Sequence, residues 1–138
     1  MGKGDARTLA ESGDVGFPII CDVDDYQSGE LAWQMQVAFG KKPKIVKDFR
    51  RVVERDDLDV CLIATTDHWH ALPTIYACQT EKGVYVEKPF ANTIAESRAM
   101  VKAAKKHKRI VRAANGGVPN MYRPRLRLYA PGNREQFA

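Results

Sequence analysis

The chain has 138 residues, 44% hydrophobic and 28% charged, with a formal net charge of +5. That length suits one domain and excludes two of full size. No run of about eighteen apolar residues occurs and the opening residues lack the apolar centre of an export signal, so the expectation is a cytoplasmic protein without a membrane span. Cys21, Cys61 and Cys78 are scattered and form no CxxC pair, and His68 and His70 stand two apart with only His107 far along the chain to join them, so neither a disulfide framework nor a metal site is expected. The charge is unevenly spread. Residues 1–101 carry 12 basic and 16 acidic side chains, whereas residues 102–138 carry 10 and 1. A basic tail of this kind either solvates the end of a helix, where cations oppose the negative pole of the dipole, or binds a polyanion such as nucleic acid. The solvated-face reading is favoured, because few aromatic residues interleave with the charges.

In chain order, residues 17–21 read as a short buried strand that stops at an acidic turn beginning with Asp22. Ser28 is placed to cap a helix carrying Leu31, Met35 and Ala38, which Gly40 ends. Residues 44–47 form the next strand, and Asp48 is placed to cap a brief helix with Phe49, Val52 and Val53 on its apolar side. Residues 59–64 give the strongest strand signal, a continuous apolar run suited to the centre of a parallel sheet covered on both faces. A helix through Ala71, Ile75 and Cys78 follows, then a strand at 84–86, then a helix opened by the capping box of Thr93 and Glu96, and a last strand at 109–111. This alternation predicts an α/β fold with a doubly wound parallel sheet. The domain is expected over residues 1–113, with a loosely ordered basic tail over 114–138 in which residues 122–129 form a short element or none.

Ligands of open parallel sheets bind beyond the carboxyl ends of the strands, so the residues after each predicted strand are the candidates. They are the Gly2-Lys3-Gly4 segment, Asp22, the stretch from Thr65 to His70, and Glu87-Lys88-Pro89. Asp22 lies eighteen residues beyond Gly4, close to the separation that places an acid on an adenosine ribose. Spacing alone leaves it either a ligand or a turn former. Lys88 is, on the same footing, either a catalytic group or a solvated lysine beside Glu87. Trp69 reads as a packing residue, and Cys61 and Cys78 as inert core thiols.

The segment A-T-T-D-H-W-H at 64–70 and the tripeptide E-K-P at 87–89, with the intervening chain, resemble the nucleotide-binding half of the glucose–fructose oxidoreductase / inositol dehydrogenase / MocA family (Gfo/Idh/MocA). The resemblance runs over roughly residues 2–111. It implies a Rossmann-like domain of an NAD- or NADP-dependent oxidoreductase that moves hydride between a nicotinamide and a sugar, cyclitol or related polyol. In that reading Gly4 belongs to the phosphate loop and Asp22 holds the adenosine ribose, which favours NAD because a 2′-phosphate would meet its charge. Thr65, Thr66 and His70 line the nicotinamide ribose, and Glu87 and Lys88 lie beside the ring. Lys88 is the catalytic candidate, since an ammonium stabilises the oxygen that gains negative charge as hydride departs. A cis Lys88–Pro89 bond is expected.

Two departures from the family pattern qualify this. The strand that normally enters the glycine loop, and lies between the 17–21 and 59–64 strands, has no counterpart after Met1, so those neighbours either pair directly or leave a gap. The substrate domain that follows in the family has no counterpart either, so a sugar or polyol is expected as substrate only where that domain is supplied elsewhere. The expectation is a truncated NAD(P)-binding domain that is inactive alone. The alternatives are an inactive interaction module partnering a complete paralogue, and nucleic-acid binding through the tail.

Overall fold

Five strands and five helices alternate in the computed structural model, which describes residues 2–11 and 15–114. The expected tail over 114–138 lies outside the described residues from 115 on. Helix α1 spans Gly2–Glu11, followed by β1 (Ile19–Cys21), α2 (Asp25–Phe39), β2 (Lys44–Val46) and α3 (Arg50–Val53). Then come β3 (Val60–Ile63), a 3-10 turn at Asp67–Trp69, α4 (Ala71–Gln79), β4 (Gly83–Val86), α5 (Ile94–His107) and β5 (Val111–Ala113). Among the described residues no helix is long and apolar enough to cross a membrane.

Local chemistry explains most boundaries. Asp24, not Ser28, caps α2: its carboxylate accepts the N–H groups of Tyr26 and Gln27, while Ser28 sits buried in the first turn and donates to the Asp24 and Asp25 carbonyls. Gly40 ends α2 in the left-handed region at φ 71°, where a side chain would be strained. Asp48 accepts the Arg50 N–H at 3.0 Å, steadying the short α3. Thr93 and Glu96 form the reciprocal capping box at the start of α5. The last strand begins two residues later than expected, because Lys108 ends α5 in the left-handed region and Arg109 N–H still bonds back to Ala104.

The strands do not form one sheet. Among the described residues β1 pairs only with β2, and β3, β4 and β5 form a second sheet, all neighbours parallel. The 59–64 strand, expected at the centre, is therefore an edge. Lys44 N–H donates to Pro18 O and Asp22 N–H to Val46 O, so the backbone groups of Ile19 and Cys21 point away from β2. Gly83 N–H donates to Asp59 O and Glu87 N–H to Ile63 O, so those of Val60 and Leu62 point away from β4. Leu62 packs into the apolar cluster of Ala6, Ile20, Ala32 and Met35, so the open edges face each other with α1 packed beside them. Of the two outcomes left open, direct pairing or a gap, the structure has the gap. The second sheet carries the larger core, in which Ile63, Val86, Cys78 and Met100 are nearly or wholly excluded from solvent.

Candidate functional site

Within each sheet the strands are parallel, so their exits collect at one edge, and α1 links the two edges: Gly2 lies against Ala64 after β3 and the Lys3 ammonium lies 5.9 Å from the Tyr26 ring after β1. Asp22 leaves β1 there. Its Oδ1 accepts the Asp24 N–H at 2.9 Å, and among the described residues its second oxygen has no partner. Asp24, not Asp22, caps the helix that follows.

Thr65 and Thr66 follow β3 and are exposed; Thr66 Oγ1 lies 3.5 Å from His68 Nε2. His70 behaves differently. It is 1% exposed, with Nδ1 2.7 Å from the Pro89 carbonyl and Nε2 3.1 Å from the Thr65 carbonyl. A neutral ring donates to one of these oxygens and a doubly protonated ring to both. Either way the ring ties the loop after β3 to the turn after β4. Thr74, also buried, donates to the His70 carbonyl at 2.7 Å and anchors the start of α4. Trp69 is half-exposed, its ring 6.5 Å from that of Phe49, which meets Tyr76 edge-on at 5.6 Å.

Glu87 and Lys88 leave β4 with opposite exposures. Glu87 is buried and its Oε2 accepts the Lys88 N–H at 2.9 Å, while the Lys88 side chain is in solvent. The Lys88–Pro89 bond is cis, as expected.

Gly4 does not lie in a loop. It occupies the first turn of α1, is exposed, and a Cβ there would meet nothing within 4 Å. Gly4 has no steric need to be glycine. Gly2 has the steric need, because a Cβ on it would stand 2.6 Å from Ala64 Cβ at the exit of β3. A second residue escaped sequence reasoning altogether: Asp5 on α1 is buried against Glu87. No local pattern marks that pair, since its members meet only through the packing of α1 on the second sheet.

The structure thus brings the Thr65 loop, His70, Glu87 and Lys88 together, and sets Asp22 on the same edge of the other sheet. With this geometry in place, the similarities to known proteins are consistent. Residues 6–115 match the family described as an oxidoreductase family with an NAD-binding Rossmann fold (Gfo/Idh/MocA). Levoglucosan dehydrogenase of Pseudarthrobacter phenanthrenivorans is 38% identical over 76 residues, covering 55% of this chain and 19% of its own. A glycosyl hydrolase family 109 protein of Shewanella pealeana is 27% identical over 109 residues, covering 76% of this chain and 24% of its own. A crystal structure of levoglucosan dehydrogenase with NADH and levoglucosan superposes with a TM-score of 0.65 at 24% identity, over 80% of this chain and 31% of that one, a likeness of fold. The chain therefore spans about a fifth to a quarter of the length of these curated relatives. By the match over residues 6–115, it belongs to the Gfo/Idh/MocA oxidoreductase family and carries that family's NAD-binding Rossmann fold.

Proposed function

We propose that this chain is the dinucleotide-binding part of an oxidoreductase that exchanges hydride between NAD and a sugar, cyclitol or related polyol. The observation that carries the reading is that Thr65, Thr66 and Lys88 stand at neighbouring strand exits of one sheet while α1 reaches from Ala64 beside them to Tyr26, just beyond Asp22 at the exit of β1. The residues fit the two ends of a dinucleotide. Asp22 has a carboxylate oxygen without a partner among the described residues, suited to ribose hydroxyls and unsuited to a 2′-phosphate, which favours NAD over NADP. Thr65 and Thr66 offer exposed hydroxyls for the second ribose. The first turn of α1 presents N–H groups near the exit of β3, where a phosphate is favoured.

NAD, when bound, supplies the hydride acceptor. Lys88 then serves the oxygen of the carbinol, its ammonium stabilising the developing negative charge or relaying the hydroxyl proton to the solvent in which its side chain stands. Glu87 fixes the backbone of Lys88 through the Lys88 N–H, and His70 braces the same turn from below through the Pro89 carbonyl. Titration of the chain with NADH, followed by nicotinamide fluorescence, tests the reading: saturable binding abolished by Asp22→Ala supports it, and no binding at about millimolar cofactor rejects it.

A second reading, an interaction module, is favoured by one observation. The outward backbone groups of Ile19, Cys21, Val60 and Leu62 meet no backbone partner among the described residues, which is the acceptor surface for an added parallel strand. A monodisperse monomer that binds no apolar dye counts against it.

A further inference from the structure

Helix α1 meets the second sheet through two acids. Asp5 is 5% exposed and Glu87 3%, and each acts on the ionisation of the other as a hydrogen-bond partner. One oxygen on each, Asp5 Oδ2 and Glu87 Oε1, is sealed from solvent and has no donor among the described residues. Two ionised carboxylates in that position would repel at close range and lack hydration. A single proton changes the arrangement: it turns two orphaned acceptors into one donor and one acceptor.

The surroundings decide which acid keeps it. The Lys88 N–H bonds to Glu87 and the Lys88 ammonium adds its charge, both favouring ionisation of Glu87. Tyr85 on β4 faces the pair, its phenol raised by burial and then by their charge, with Arg112 of β5 acting on it in the opposite sense. Lys3 on α1 is committed to Glu30. Burial, then the hydrogen bond to Glu87 and its charge, push Asp5 up to about 6. Burial also opposes ionisation of Glu87, but the hydrogen bond from Asp5 and the Lys88 contributions hold its carboxyl below the usual range.

We infer that Asp5 and Glu87 share one proton, Asp5 donating, and that this clasp fixes α1 against the turn that carries Lys88, making Asp5 a positioning residue of the site. The positioning role rests on the NAD reading above; the clasp does not. Each element of the turn is then held separately: its backbone by Glu87, its Pro89 carbonyl by His70, and Glu87 itself by Asp5.

The sign of the pH dependence follows. Asp5 is raised, so its contribution is complete below the ordinary carboxyl range and lost as pH climbs through about 6. Glu87 is lowered, so its contribution is present above the ordinary range and lost as pH falls through its own titration. The clasp is strongest between the two. The experiment follows the carboxyl carbons of Asp5 and Glu87 and the amide exchange of α1 by NMR in the intact chain from about pH 4 to about pH 8, with NAD affinity measured across the same range.

Asp5 is expected to titrate near 6, with a smaller inflection at Glu87 at the same pH. Protection of α1 and NAD affinity are expected to fall several-fold as that titration proceeds. Asp5→Asn, whose amide donates without a titrating proton, is expected to flatten both pH profiles and keep α1 protected at the alkaline end. Asp5→Ala is expected to lose protection throughout. An Asp5 that titrates as an ordinary carboxylate, or an Asp5→Asn variant with the unaltered pH profile, overturns the clasp. Absence of NAD binding removes the positioning role together with the function proposed above, while the carboxyl titration still decides the clasp.

Discussion

Two glycines two residues apart in α1 should respond to the same substitution with opposite signs. A Cβ on Gly2 would stand 2.6 Å from Ala64 Cβ, whereas one on Gly4 meets nothing within 4 Å. Ordinary carbon–carbon contact is about 3.5–4.0 Å, so in Gly2→Ala the first turn of α1 must retreat by about 1 Å from the exit of β3. Ala64 Cβ has no torsion with which to yield, and overpacking of this kind costs about 1–3 kcal/mol. Alanine in a helix gains about 0.5–1 kcal/mol over glycine, a term common to both variants. Gly4→Ala keeps only that gain. The variants should differ by about 1–3 kcal/mol, which at roughly 4 °C per kcal/mol places Gly2→Ala about 4–12 °C below Gly4→Ala in Tm. Thermal unfolding followed by the helical circular dichroism signal reads this directly. Equal shifts in the two variants, or a Gly2→Ala that stabilises, would refute the packing of α1 against β3.

Other outcomes follow from the same packing. Met100 is wholly buried in the larger core, and Met100→Ala should cost about 2–5 kcal/mol in urea unfolding; a loss below about 1 kcal/mol would mean the second sheet is not packed as described. Thr93→Ala removes half of the capping box of α5 and should cost about 0.5–2 kcal/mol, with Thr93→Ser recovering most of it in the same assay. Burial pushes the Cys61 thiol up to about 11 and raises Cys21 and Cys78 as well, so the native chain at about pH 8 should alkylate slowly and the unfolded chain quickly at all three; fast native labelling of Cys61 would contradict its burial.

Much of this architecture was legible because it is written locally. The capping box at Thr93 and Glu96, the apolar run of β3, and Gly40 at the end of α2 each act within a few residues. The family motifs at 64–70 and 87–89 marked the edge where Thr65, Thr66 and Lys88 emerge. Errors arose where several residues competed for one role or where the deciding contact was distant. Asp22, Asp24 and Ser28 all satisfy capping chemistry, and only the chain path gives the cap to Asp24. Gly2 and Gly4 are chemically identical, and only the approach of Ala64 separates them. The fate of the two open edges depended on whether Ile19 and Cys21 could reach Val60 and Leu62, a tertiary question that left pairing and gap equally open. The burial of His70 between the Thr65 and Pro89 carbonyls was likewise invisible locally, because Pro89 lies 19 residues further along the chain.

The strand exits of these two sheets are proposed to receive a dinucleotide. Backbone amide NMR of the chain titrated with NAD tests it most directly. Saturable shifts are expected at Asp22, Thr65, Thr66 and Lys88, with Lys44 and Gly83 at the opposite strand ends unmoved; shifts confined to that opposite edge, or none at all, would overturn the proposal.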